Sequence, residues 1–255
     1  MTNIDTWKTK IRAGAIHLGI TFCVVLLAAI LVFGLWYPYP YSDISGGKTL
    51  FMLVSVVDLT IGPLITFIVY STRKPVREMR MDFAIIGILQ SIALAYGLWT
   101  VFVARPVYLV YEYDRMHVIH AVDIEPESLS KAPSSLQKLP ITGPKLIALR
   151  TFTDPSEQFD ATMNALAGIP LSTRTDLWQP YANQTESVLK NAKSATELSE
   201  RFPDRTALIS DAITDTGRPA AQLKYLPMVD RENVWTVLID AVDATPVGYI
   251  SLDSF

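Results

Sequence analysis

The chain has 255 residues, half of them hydrophobic, a net charge of −3 and one cysteine, Cys23. A single cysteine excludes any disulfide within the chain, so each unit must be held by packing. Residues 105–255 carry 14 Lys/Arg against 20 Asp/Glu, which leaves no basic stripe to neutralise phosphates, and no nucleic acid is expected as a partner.

Three apolar runs fill the first part of the chain, at about 15–36, 49–70 and 83–104. Each meets the length of about 20 apolar residues that crosses a hydrocarbon core as a helix. The expected fold class is a membrane protein: three transmembrane α-helices (1–104) followed by an α+β periplasmic domain (105–255). The lipid bilayer is then itself an expected partner. A cleaved signal peptide is the competing reading of the first run, but the run is too long and lacks a small-x-small exit.

Lys8, Lys10 and Arg12 precede the first run, and Arg73, Lys74, Arg77 and Arg80 crowd the second link. The first link, 37–48, has one lysine. The positive-inside rule places the N-terminus and the second link in the cytoplasm. Residues 105–255 are then in the periplasm of a bacterial inner-membrane protein. Trp36, Tyr37, Tyr39, Tyr41, Trp99 and Phe102 fall at the outer interface, Trp7 and Tyr70 at the inner one, as an aromatic belt requires.

The middle run carries Asp58, and an acid at mid-bilayer is a functional candidate by default. It lies roughly 14 Å from the outer end of its span. Gln90 and Tyr96 come roughly 10 and 20 Å above the inner end of the third span, bracketing that depth. His17 is about 3 Å above the inner edge, too far for a direct pair. Two readings stay open: an acid bonded inside the bundle by Gln90, Tyr96, Ser55 or Thr60, or one facing outward to receive a partner helix. Gly62-Pro63 follow one turn later. Pro63 cannot donate to the Leu59 carbonyl, so a kink or loosened turn is expected, with Thr60 or a neighbour satisfying that carbonyl. Gly87, Ser91 and Ala95 recur every fourth residue and allow close helix approach; packing inside the bundle is their expected use, ahead of an intermolecular face.

Arg105-Pro106 ends the third run. Residues 107–113 and 116–123 read as a hairpin around Asp114-Arg115. The proline-rich stretch after it (Pro126, Pro133, Pro140) reads as a loop or broken helix. Asp154-Pro155-Ser156-Glu157 is a helix start with Asp at the cap, Pro first and Glu third. Phe159, Met163 and Leu166 form its stripe, and Gly168 stops it. A second amphipathic helix is expected over 181–201, a shorter third over 204–215 closed by Gly217, and a closing hairpin over 234–240 and 247–252. The outer domain thus reads as strands at both ends with helices between.

There is no HExxH, GxSxG, CxxC, P-loop or glycine-rich dinucleotide turn. His117 and His120, three apart on a strand, face opposite sides and cannot share a metal there. No catalytic residue, cofactor or metal site is nominated, and the expectation is a protein that is not an enzyme.

Several short pieces then occur in a recognisable order: Trp36-Tyr37-Pro38-x-Pro40-Tyr41, Gly46-Gly47, Asp58 with Gly62-Pro63, Ala95-Tyr96-Gly97-Leu98, Ala104-Arg105-Pro106-Val107-Tyr108 and Asp114-Arg115. They resemble the successive landmarks of the TfpX/TfpZ-type type IV pilin accessory proteins, and Leu139-Pro140-x-x-Gly143-Pro144 and Tyr225-Leu226-Pro227-Met228 resemble later pieces. The likeness covers nearly the whole chain and is strongest over 36–115. It implies an inner-membrane, chaperone-like accessory protein that assists a cognate major type IV pilin in pilus biogenesis, with other pilus assembly components as further candidate partners. The partner-binding candidates are Trp36, Tyr37, Pro38, Tyr41, Asp58, Gly62, Pro63, Arg105 and Pro106. Two alternatives stand beside this reading. A membrane-tethered periplasmic sensor or binding protein would lack a cytoplasmic output domain. An intramembrane aspartyl protease would need a second acid in the membrane, and Asp82 lies at the inner boundary.

Overall fold

The computed structural model describes residues 3–71, 74–231 and 233–255. Arg73, one of the cations of the second link, lies outside them. The chain divides into two compact units, Met1–Ala104 and Arg105–Phe255.

In the first unit, α1 (Asn3–Leu31) runs into a π-helical turn at Val32–Trp36. A short α2 (Tyr41–Ile44) leads to α3 (Gly47–Val69), and α4 (Val76–Val103) follows. Three stretches, Trp7–Trp36, Gly47–Val69 and Val76–Val103, are long and apolar enough to cross a membrane. Only 22, 22 and 11% of their most apolar windows is buried within the protein. Their remaining apolar surface needs a cover other than the chain itself.

Ring contacts fix which ends meet. Trp36 lies 5.0 Å from Phe102 at one end; Trp7 lies 5.4 Å from Phe67, and Tyr70 6.3 Å from Phe83, at the other. Glycine sets the approach of α3 to α4, since a Cβ at Gly97 would lie 2.7 Å from Val54 Cγ1. α3 stays helical through Pro63, where a kink or loosened turn is expected. Thr60 does not reach the carbonyl that Pro63 frees; its hydroxyl donates to the Val56 carbonyl at 2.7 Å. A helical threonine bonds three or four residues back, and Leu59 is only one residue away.

The second unit is built on one mixed sheet. Its described strands are β1 (Pro106–Glu112), β2 (Arg115–His120), β3 (Lys145–Leu149), β4 (Trp178–Pro180), β5 (Lys193–Ser194), β6 (Leu223–Val229), β7 (Val234–Asp240) and β8 (Pro246–Ile250). Their order is β4-β3-β1-β2-β6-β7-β8, with β5 on β6. The β1–β3 and β2–β6 pairs are parallel and the others antiparallel. The two terminal hairpins lie where the alternation put them. The description as strands at the ends and helices between is corrected, because β3, β4 and β5 come from the middle of the chain.

The expected helix over 181–201 is also corrected. It is a 3-10 turn, then α6 (Thr185–Asn191), β5 and α7 (Ala195–Arg201). Lys193 and Ser194 pair with Tyr225 and Lys224 of β6. The Ser194 hydroxyl then accepts from the Thr196 N–H and caps α7, so sheet pairing and capping divide what helical periodicity joined.

Asp154 caps α5 (Pro155–Leu166) as its sequence requires, its carboxylate accepting from the Glu157 N–H at 2.9 Å. The inward face of α5 is not its apolar stripe: Ala161 is buried, while Phe159, Met163 and Leu166 are 64, 49 and 78% exposed. α8 (Thr206–Asp215) is followed by Gly217 at φ +67°, a left-handed turn that glycine adopts freely. Two apolar clusters form the core, one around Tyr108, Ile147 and Trp178, the other around Leu198, Tyr225 and Leu238. Every β1 residue from Pro106 to Tyr111 is buried, the mark of a strand covered on both faces.

Candidate functional site: a polar cleft among the apolar helices

Polar side chains from all three long helices converge inside the first unit. His17 on α1 places Nδ1 2.5 Å from the Thr66 hydroxyl of α3 and Nε2 2.5 Å from Gln90 Oε1 of α4. Gln90 Nε2 donates to the backbone carbonyl of Asp58 at 3.3 Å. With Gln90 Oε1 accepting, the imidazole proton is assigned to Nε2, and Nδ1 accepts from Thr66. Gly62 leaves room for this arrangement. A Cβ there would collide with the Gln90 carboxamide. Its neighbour Pro63 turns its carbonyl toward α1, 3.5 Å from where a Cβ on Gly14 would stand.

Asp58 is 5% exposed. Each side chain expected to hold its carboxylate points elsewhere. Ser55 donates to the Phe51 carbonyl at 2.8 Å, Thr60 to Val56, and Gln90 to the backbone of Asp58 rather than its acid. Tyr96 is 68% exposed with its ring beside Trp99. Among the described residues the Asp58 carboxylate has no hydrogen-bond partner, which corrects the internally bonded reading. It lines a cleft of about 170 Å³ with His17, Thr21, Val25, Gly87, Gln90 and Ser91. His17 makes no direct bond to Asp58, in line with the depth count, but it shares this cleft.

The structure thus gathers Asp58, Gly62 and Pro63 and adds His17, Thr66 and Gln90. For His17 and Gln90 the signal was in the depth count, and extending the same count to Thr66, which the sequence reading did not single out, puts all three within roughly 10 Å of the inner edge.

The other candidates lie apart from this cleft. Tyr37 is fully buried, its hydroxyl donates to the Val101 carbonyl at 3.2 Å, and its ring occupies the space beside Gly47. Tyr41 is buried, and Trp36 and Pro38 are half-buried. Arg105 and Pro106 belong to the second unit. Arg105 is 5% exposed and donates to the Pro140 carbonyl from Nε at 3.3 Å and Nη2 at 3.0 Å.

The second unit assembles one constellation that invites a catalytic reading. Ser172 Oγ lies 3.1 Å and Glu112 Oε2 3.4 Å from the same atom, His117 Nδ1. A nucleophile relay needs its hydroxyl and its acid on opposite ring nitrogens, so this group cannot pass a proton along. His120, 2% exposed, stands 3.6 Å from Asp230 and 3.4 Å from Asp123. Burial pushes the Asp123 carboxyl up, but hydrogen bonds from His120 and Arg231 outweigh it and hold the group at about 2. No metal-binding group of His, Cys, Asp and Glu occurs among the described residues. A broad cleft of about 890 Å³ runs past Glu125, Lys131, Asp160 and Arg174.

In class, this is a three-helix unit of membrane-spanning length and hydropathy joined to a mixed-sheet domain. A family profile described as Fimbrial assembly protein FimB matches residues 5–46. Over 231 residues the chain is 31% identical to a fimbrial assembly protein of serogroup E1 from Dichelobacter nodosus, covering 90% of each chain. Over 234 residues it is 30% identical to the serogroup I protein of that organism, again over 90% of each. A protein of serogroups C1 and C2 is 37% identical over 121 residues, 48% of this chain and 92% of that one. No solved structure matches. The chain belongs to the fimbrial assembly protein family, and the resemblance to type IV pilus accessory proteins seen in its sequence is borne out at that level. By name this is not a family of enzymes.

Proposed function

We propose that the protein is an inner-membrane, chaperone-like accessory factor that helps a cognate major type IV pilin into surface pili. One observation carries this reading: similarity to fimbrial assembly proteins extends over 90% of the chain. Residues 1–104 form the membrane region and residues 105–255 a periplasmic domain. The N-terminus and the α3–α4 link are cytoplasmic. The crowding of cations in the first turns of α1, ahead of its apolar run, and around that link supports this orientation.

Within this reading Asp58 meets the pilin, and Gly62 and Pro63 shape its surroundings. Trp36, Tyr37, Pro38 and Tyr41 hold the outer end of the bundle in shape, and Arg105-Pro106 anchor the start of the periplasmic domain. The protein acts by binding, without a cofactor.

Deleting the protein should sharply reduce surface pili built from the cognate pilin, spare those built from a pilin of a different group, and be reversed by the wild-type gene. Unchanged piliation in the deletion strain would overturn the proposal.

A further inference from the structure

The small-residue face of α4 turns outward, against the expectation that Gly87, Ser91 and Ala95 pack inside the bundle. It forms an open groove of about 520 Å³ lined by Ala84, Gly87, Ile88, Ser91, Ile92 and Ala95. A Cβ on Gly87 would meet nothing within 4 Å. The protein's own packing therefore has no use for a glycine there, unlike at Gly62 and Gly97. Gly87 and Ser91 also line the cleft that holds Asp58, so groove and acid are continuous. We propose that this groove, with Asp58 at its edge, seats one apolar transmembrane helix of another protein, which brings an amine or hydroxyl donor to the Asp58 carboxylate.

Two observations carry the choice of occupant. Small residues let a second helix backbone come close, which is how helices associate where lipid removes the hydrophobic drive. Independently, Asp58 is 5% exposed and has no partner for its carboxylate among the described residues. A polar group at that depth left unbonded is costly, and hydrocarbon tails bring no donor. A second copy of this chain set groove to groove would bring aliphatic side chains and the Ser91 hydroxyl, which already donates to the Gly87 carbonyl at 2.8 Å. The complement is a foreign helix with a donor. Taking the pilin as that protein rests on the function proposed above.

The test uses the full-length protein in cells that make the cognate pilin. A photo-crosslinking residue is placed at Ser91 or Ala95, and at Leu53 of α3, which is 68% exposed and outside the groove, as control. Pilin adducts are expected from Ser91 and Ala95, with at least tenfold fewer from Leu53. Gly87→Leu has open space to fill and should reduce co-purified pilin at least tenfold at unchanged protein level. Asp58→Leu should do likewise, and Asp58→Asn should lose less. If Asp58→Leu fails to accumulate, Gly87→Leu alone decides.

Wild-type pilin capture by Gly87→Leu, or adducts from Leu53 alone, overturns the groove and leaves the pilin reading standing. Ser91 adducts to a second copy alone overturn it in favour of self-association. Pilin that co-purifies without any adduct from Ser91 or Ala95 means that lipid covers the groove. No co-purified pilin together with full piliation on deletion is the separate failure of the pilin reading, and the chosen occupant falls with it.

Discussion

His17 Nε2 and Gln90 Oε1 meet at 2.5 Å, although 73 residues separate them. The contact ties α1 directly to α4, and Thr66 on the other ring nitrogen ties α1 to α3. One imidazole thus satisfies polar groups on both neighbours, where unmet hydrogen bonds are costly. The mid-depth acid stays outside this chain of bonds.

Gly62→Ala should destabilise the bundle, because its new Cβ collides with the Gln90 carboxamide. Overpacking of this kind costs about 1–3 kcal/mol. The double variant Gly62→Ala/Gln90→Ala should be more stable than the two single effects would sum to. Thermal unfolding of the detergent-solubilised protein measures this, and strict additivity would refute the collision.

The orientation is open to a direct reading. Alkaline phosphatase fused after Phe255 should be active, and a reporter that works only in the cytoplasm should be silent there. The opposite pattern would invert the topology.

For residues 105–255, a cooperative melt unchanged by chelator and by reductant is expected, since Cys23 lies in the other unit and the described residues form no metal group. Asp154→Ala removes the cap of α5 and should lower stability by about 1 kcal/mol. A chelator-sensitive melt would disprove the first claim, an unshifted Asp154→Ala midpoint the second.

Acid should act on the same unit through Asp123. Its folded carboxyl is held at about 2, below the unfolded value of about 3.9. Its contribution is therefore complete above the unfolded value and is lost as pH falls through the folded one. The stability gap between wild type and Asp123→Asn should be constant at neutral pH and shrink below about pH 4. A gap that stays constant down to pH 2 would show that these contacts do not hold the acid.

The long apolar helices were legible because length and hydropathy alone define them. The two hairpins and the α5 cap were legible because they are local. What escaped was set by contacts distant in sequence. Lys145–Leu149 has no alternation to read because β3 lies parallel to β1 inside the sheet. The pairing of Lys193-Ser194 with β6 broke a helix that periodicity favoured. Asp58 was singled out by type and depth, but whether its carboxylate is bonded depended on where Ser55, Thr60 and Gln90 point. Those directions follow from helix rotation, which a single sequence does not fix.

The sheet ends in β4 and β8. The outermost strand on one side has three residues and closes on Pro180; the one on the other side opens on Pro246, and its pairing with β7 shifts register between Leu238 and Ile239. Proline offers no N–H, and short or irregular borders give an incoming strand little to pair with. On the function proposed above, a pilin that meets this domain finds no long, regular border on which to add a strand of its own.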